Sequence, residues 1–256
     1  MIVRKEFLKR SFSKASQTYD ENASVQSYMG KRLLEKLDSS SFKHVLEIGS
    51  GPGNFTEEII SRFSPQKLAL NDISEEMLNI CRERFSNHMT ISYHPGDIEK
   101  LTLKEKYDLI TSNACLQWLF DLEGTLKKFI ESLNPNGVLA FTSFGNENVK
   151  EITALTQNGL KYLSYSELDS VLKTLNVPYS LQEEIVKFHY TDALNMLKTL
   201  KKTGVTGFSK TIWTKGMLNR FVKEFESKFS DANGVYLTWH IYYAVVKKQN
   251  SILLSV

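Results

Sequence analysis

"VLEIGSGPGNF", residues 45–55, constrains this chain more than any other stretch. A short apolar run ends in a glycine-rich loop, and a helical run follows. In an open α/β sheet, ligands bind where the carboxyl end of a strand meets the next helix. Gly49, Gly51 and Gly53 let the backbone approach a ligand with no Cβ in the way. The spacing is G-x-G-x-G, and Asn54 stands where a dinucleotide fingerprint has its third glycine. Pro52 also removes an N–H that a pyrophosphate would use. Both features disfavour a nicotinamide cofactor.

The flanks supply an alternating pattern. Residues 43–49, 67–72, 89–97, 107–113 and 138–144 read as strands. Residues 24–37, 54–63, 74–85 and 122–133 carry helical spacing. Asn54 and Glu57 suggest a capping box, and "NPNG" (134–137) a turn. Strand–helix alternation predicts a parallel, doubly wound α/β sheet. From 147 to 178 the chain turns helical, 182–190 and 234–248 read as strands, and 192–202 and 213–228 as helices. Two late strands parted by helices predict an antiparallel pair at the sheet edge. One domain over 1–256 is the simplest organisation for this length. Its parts are N-terminal lid helices (1–37), a cofactor-binding core (40–145), a helical cap (147–178 and 191–230) and closing strands (181–190 and 234–248).

Three acids lie at the ends of successive strands. Glu47 before the loop would repel a diphosphate but suits a cationic amino group, such as that of the methionine part of S-adenosylmethionine. Asp72 suits ribose hydroxyls, and Asp97 the adenine amino group. Each alone is equally a solvated carboxylate, and Asp72 could cap the next helix. Together with the loop they converge on one crevice. The formal net charge of +3 is weak for a nucleic-acid binder. Cys81 and Cys115 form neither metal-ligand spacing nor a disulfide framework and fit a reducing cytosol. "MIVRKEFLKRSF" lacks a secretory apolar region, and no run is long enough for a membrane span. A cytoplasmic protein follows, with no metal, nucleic acid or membrane partner.

Residues 40–145 resemble the class I S-adenosylmethionine-dependent methyltransferases. The resemblance implies a Rossmann-like, mostly parallel seven-stranded sheet with an antiparallel edge strand, helices on both faces, and a helical lid and insertion. It adds Ile73, Ile98 and Asn113 to the cofactor contacts. "SNACLQW" (112–118), "SFSKASQTYDENASVQ" (11–26), "TSFGNENVKEI" (142–152), "LNMLKTLKKTGVTGF" (194–208) and "YLTWHIYYAVVKK" (236–248) resemble the malonyl-acyl-carrier-protein O-methyltransferases of biotin synthesis. A similar "QW" occurs in trans-aconitate methyltransferases.

That resemblance implies transfer of a methyl group to the free carboxylate of a malonyl thioester on acyl carrier protein, with S-adenosylhomocysteine as the other product. A coenzyme-A thioester is a second acceptor form. The rival readings are carboxyl methylation of a small free acid and a non-catalytic S-adenosylmethionine-binding protein. Tyr19 and Trp118 are candidates for closing and lining the acceptor pocket; Trp118 could instead anchor the following helix in the core. His240 is a candidate substrate contact, the alternative being a structural histidine on the last strand. An acidic carrier protein would need a basic face. Arg10 and Lys14, within a cluster that also holds Arg4, Lys5 and Lys9, and Lys198, Lys201 and Lys202 are two candidate groups; either could be a solvated helix face. The chain is expected to act as a monomer. Residues 10–25 are expected to fold over the crevice, or else to form an ordinary helix on the sheet.

Overall fold

The apolar runs at 44–48, 67–72 and 107–112 are nearly unbroken, as strands covered on both faces require. They form β1 (His44–Ile48), β2 (Lys67–Asp72) and β4 (Tyr107–Ser112). With β3 (Thr90–Pro95) and β5 (Leu133–Phe144) they make a parallel array in the order β3-β2-β1-β4-β5. The structure, a computed structural model, describes residues 5–16, 18, 22–38, 41–87, 90–203 and 213–249.

The sheet continues through β8 (Gly234–Lys247) to β6 (Tyr179–Tyr190), and a two-residue β7 (Ser230–Asp231) pairs with the start of β8. Seven main strands therefore match the expected number, and β7 is the addition. The reversed strand is β8, one place in from the edge. It runs antiparallel to β5, with Val138 opposite Lys247, and to β6, with Tyr179 opposite Val246. Its burial is nearly continuous, whereas β6 alternates half-buried and exposed residues, as an edge strand with one wet face does.

The helices α2 (Ser24–Glu35), α3 (Asn54–Phe63), α4 (Glu75–Arg84), α8 (Ala193–Lys202) and α9 (Lys215–Lys228) cover one face. Met29, Leu33, Ile59, Leu78 and Phe225 meet the odd-numbered residues of β8 there. On the other face α5 (Leu122–Glu131) and α7 (Tyr165–Lys173) bury Leu126, Phe129, Leu168 and Leu172 against Ile48, Ile110 and Phe141. Each such side chain contributes about 1.5–3 kcal/mol over its exposed state. A short α6 (Lys150–Thr156) follows β5, and α1 (Lys5–Ala15) lies ahead of the sheet.

Two local expectations change. "NPNG" is not a turn before the strand but a bulge within β5. Leu133 pairs with Tyr107 and Val138 with Leu109, so Asn134 to Gly137 oppose the single residue Asp108. Asn136 takes the left-handed conformation and Asn134 Nδ2 donates to Asp108 Oδ1, which satisfies the bulge locally. The Asn54–Glu57 capping box does not form either. Gly53 at φ 101° is the N-cap, and Arg84 takes both side chains, donating to Asn54 Oδ1 and Glu57 Oε1.

Candidate functional site

The glycine loop leaves β1 and is laced to β2. The N–H groups of Gly49 and Ser50 donate to the Asn71 carbonyl at 2.8 and 3.0 Å, and the Gly51 N–H donates to Asp72 Oδ2 at 2.9 Å. All three glycines have positive φ, but for different surroundings. A Cβ on Gly49 would strike Cys115 Sγ at 2.5 Å, and one on Gly53 the Phe85 ring at 2.6 Å. One on Gly51 would meet nothing within 4 Å and would stand in open space at the crevice. Gly49 and Gly51 line the crevice. Gly53 is not among its lining residues and stands where α3 packs on the end of α4, against Phe85 and Cys81.

The crevice holds about 720 Å³ of empty space, part of it open to solvent. Asp72, Ile73, Met77, Asp97 and Ile98 form one side and Asn113, Ala114, Cys115, Trp118 and Leu119 the other. A second lobe shares Gly49, Gly51 and Asn113 and reaches Gln26, Ser50 and Glu58. The roof is α1, through Lys5, Leu8 and Phe12. Phe12 meets Trp118 edge-on at 6.2 Å, and Ser13 donates to Glu76 at 2.6 Å. Residues 10–15 are thus the end of α1, and Phe12 is the residue of that stretch that lines the crevice. Tyr19 lies outside the described residues.

The acids differ in placement. Asp72 is buried and accepts from Ser74 N–H as well as from Gly51; burial pushes its pKa up to about 6 against those backbone bonds. Ser74, rather than Asp72, caps α4. Asp97 Oδ1 accepts from Lys5 Nζ at 2.6 Å and from Glu99 N–H at 3.1 Å. Lys5 also pairs with Glu99. Burial alone would lower the Lys5 ammonium, and the two carboxylates more than offset it, so its pKa is raised. Glu47 lies beneath the loop, not on the crevice wall, and accepts from Thr56 Oγ1 at 2.6 Å. Burial raises its pKa to about 8.

The wall after β4 is held by a relay. Asn113 Nδ2 donates to the Gln26 carbonyl, Thr142 Oγ1 donates to Asn113 Oδ1, and the Ala114 N–H donates to Thr142 Oγ1. Ala114 sits at φ 52°, a left-handed conformation that costs about 1–2 kcal/mol for a residue with a Cβ. Gln117 Nε2 donates to the Ala114 carbonyl, and its buried Oε1 has no partner among the described residues. Cys115 and Cys81 are both pushed up to about 12 by burial, so neither is a ready thiolate. Among the described residues no group of His, Cys, Asp and Glu could hold a metal ion, and no helix is long and apolar enough to cross a membrane.

His240 is not at the crevice. It is buried, its Nδ1 accepts from Glu147 N–H at 3.3 Å, and its Nε2 faces Glu183 Oε2 at 3.1 Å. Gly145 is fitted against its ring, leaving no room for a Cβ. These partners are those of a histidine packed on the last strand. Lys14, Lys198, Lys201 and Lys202 meet along one groove between α1 and α8. Arg10 points elsewhere, into a hollow with Glu99 and Lys100. Lys5, Leu8, Met77 and Cys115 were not expected at the crevice. Met77 and Cys115 follow Asp72 and Asn113 closely in sequence, a usable signal, whereas nothing in the spacing of α1 marks Lys5.

The family described as a methyltransferase domain matches residues 45–137. Proteins named malonyl-[acyl-carrier protein] O-methyltransferase are similar over almost the whole chain. The one from Calditerrivibrio nitroreducens is 34% identical, over 95% of this chain and 97% of its own. That from Bacteroides thetaiotaomicron is 34% identical, over 96% and 99%. The chain belongs to the malonyl-acyl-carrier-protein O-methyltransferase family. A Bacteroides fragilis member, 36% identical over 96% of this chain, is longer, and the chain spans about half of it (51%).

Solved structures agree with this family's methyltransferase fold. The YcgJ protein from Bacillus subtilis has a TM-score of 0.64 at 14% identity, covering 87% of this chain and 98% of that one. A Haemonchus contortus phosphoethanolamine N-methyltransferase 2, solved in complex with S-adenosyl-L-methionine, has a TM-score of 0.63 at 17% identity, covering 97% and 61%.

Proposed function

We propose that this member of the family methylates the free carboxylate of a malonyl thioester on acyl carrier protein, using S-adenosylmethionine, at an early step of biotin synthesis. The crevice carries the reading: carboxylates close one end, apolar residues line the rest, and a Cβ-free Gly51 leaves the space between them open. S-adenosylmethionine, when bound, supplies a methyl group activated by a sulfonium. Asp72, whose carboxylate keeps acceptor capacity beside its backbone bonds, would take the ribose hydroxyls. Asp97 Oδ2 would take the adenine amino group, with Ile73, Met77 and Ile98 against the base. Glu47 would act from beneath the loop on the amino group, and Asn113 marks the junction of the two lobes.

An acceptor carboxylate has an ordinary pKa of about 4 and is ionised at neutral pH, so no general base is needed. The residues present fit that economy, since the Cys115 thiol is neutral and His240 is committed to Glu183 and Glu147. What the chain contributes is alignment and exclusion of water, and alignment of this kind lowers a barrier by several kcal/mol. Trp118, Leu119, Leu8 and Phe12 supply the dry wall. The two free cysteines fit a cytoplasmic setting.

The test is a methyl-transfer assay on malonyl-carrier protein, malonyl-coenzyme A and free diacids including trans-aconitate. Transfer to the malonyl thioesters, with the carrier-bound form preferred, is expected. Transfer to the free acids alone would overturn the reading, and cofactor binding without any transfer would make the chain a non-catalytic binder.

A further inference from the structure

The groove between α1 and α8 joins side chains far apart in sequence. Phe7, Ser11 and Lys14 of α1 face Lys198, Lys201 and Lys202 of α8. Residues 7, 11 and 14 are spaced i, i+4, i+7 and so share one face of their helix, as do 194, 198 and 201. Both faces are outward: Phe7 is 51% exposed and Leu194 41%. All four lysines are exposed, and among the described residues none has a carboxylate partner. The two elements are tied where they meet, Thr18 Oγ1 donating to the Lys202 carbonyl at 3.3 Å.

Cations with no carboxylate partner among the described residues thus lie beside an exposed aromatic, Phe7, in this groove. Several lysines elsewhere are matched on their own helix, as in Lys127–Glu123, Lys173–Asp169 and Lys228–Glu224, whereas here two helices bring unmatched lysines together along one groove. Four lysines left without such partners repel one another, a cost that an incoming anionic surface removes. The inner side of α1 is also the roof of the crevice, through Leu8 and Phe12. A partner seated in this groove therefore stands at the crevice rim.

We propose that the α1–α8 groove is the docking surface for an acidic helix of the acyl carrier protein, with Lys14, Lys198, Lys201 and Lys202 as its cationic contacts and Phe7 as its apolar one. This rests on the carrier-bound substrate of the proposed function. It assembles one surface from two sequence-distant clusters and leaves Arg10 out of it. Because the contacts are exposed charges, they act mainly on the association rate and its salt dependence.

The probe is a fluorescein-labelled carrier protein bearing its phosphopantetheine but no acyl group, mixed with the full chain. Two variants are compared with wild type, K198E/K201E and the milder K198Q/K201Q, with cofactor binding as the check on folding. We expect the association rate constant to fall about tenfold in the charge-reversed variant and less in the neutral one, with a shallower salt dependence in both. Adding K14E should slow association further. Association rates equal to wild type in properly folded variants would overturn the groove. Methyl transfer by wild type is followed in parallel, so the two readings fail separately. Transfer to malonyl-carrier protein with unchanged association removes the docking surface and leaves the function. Lysine-dependent association without transfer does the reverse.

Discussion

Glu47 is 1% exposed, and its pKa of about 8 lies well above the 4.5 of a free glutamate because burial disfavours the anion. In the unfolded chain it ionises near 4.5. Between these values the unfolded state binds fewer protons than the folded one, so this residue's contribution falls as pH rises from about 4.5 to 8, by ~1 kcal/mol per pH unit. Asp72 adds to the same trend below about pH 6. Glu47→Gln keeps the acceptor for Thr56 and removes the ionisation. It should match wild type near pH 5 and unfold at a clearly higher temperature at pH 8. Thermal melts of the cofactor-free protein across that range decide it, and two curves with a constant offset would count against a buried, neutral Glu47.

At the scale of elements, α1 is joined to the Rossmann-like sheet by few but specific bonds. Lys5 ties its start to Asp97 and Glu99, Phe12 abuts Trp118, and Ser13 reaches Ser74 and Glu76. A roof held this way can open without disturbing the core. Lys5→Met removes the ion pairs and keeps an apolar stem over the crevice. Cofactor affinity should weaken several-fold, by ~1 kcal/mol for a partly buried pair, while the melting temperature of the cofactor-free protein changes little. Calorimetric titration measures the first and a thermal melt the second. Unaltered affinity would mean that α1 is a passive cover.

For the whole molecule, the last described strand is the one that closes the sheet. β8 lies between β5 and β6, and Leu237, Trp239, Ile241 and Tyr243 face one core while Tyr242, Ala244 and Val246 face the other. Removing it leaves β5 and β6 without their shared ladder and opens both cores at once. Deletion of residues 234–256 should abolish cooperative unfolding and cofactor binding together, even though the crevice residues all lie earlier. A truncated chain that melted cooperatively would show instead that the first five strands form an independent unit.

Much of this was legible in the linear chain, because burial on both faces or on one leaves a periodic trace. β1, β2 and β4, the amphipathic α3 and α5, the late pair β6 and β8, and the crevice ends Asp72 and Asp97 follow from apolar runs, helical spacing and strand-end position. Gly49 and Gly51 follow from their loop. Sequence could not separate Gly53 from them, since close packing against Phe85 and close approach to a ligand ask for the same residue. It could not place His240, whose neighbours Glu183 and Glu147 are distant in sequence. Nor could it reveal that Lys5 would reach Asp97, or that Lys14 and Lys198 share a groove. Local periodicity reports whether a residue is buried, whereas which partner buries or neutralises it is settled only when separate elements pack.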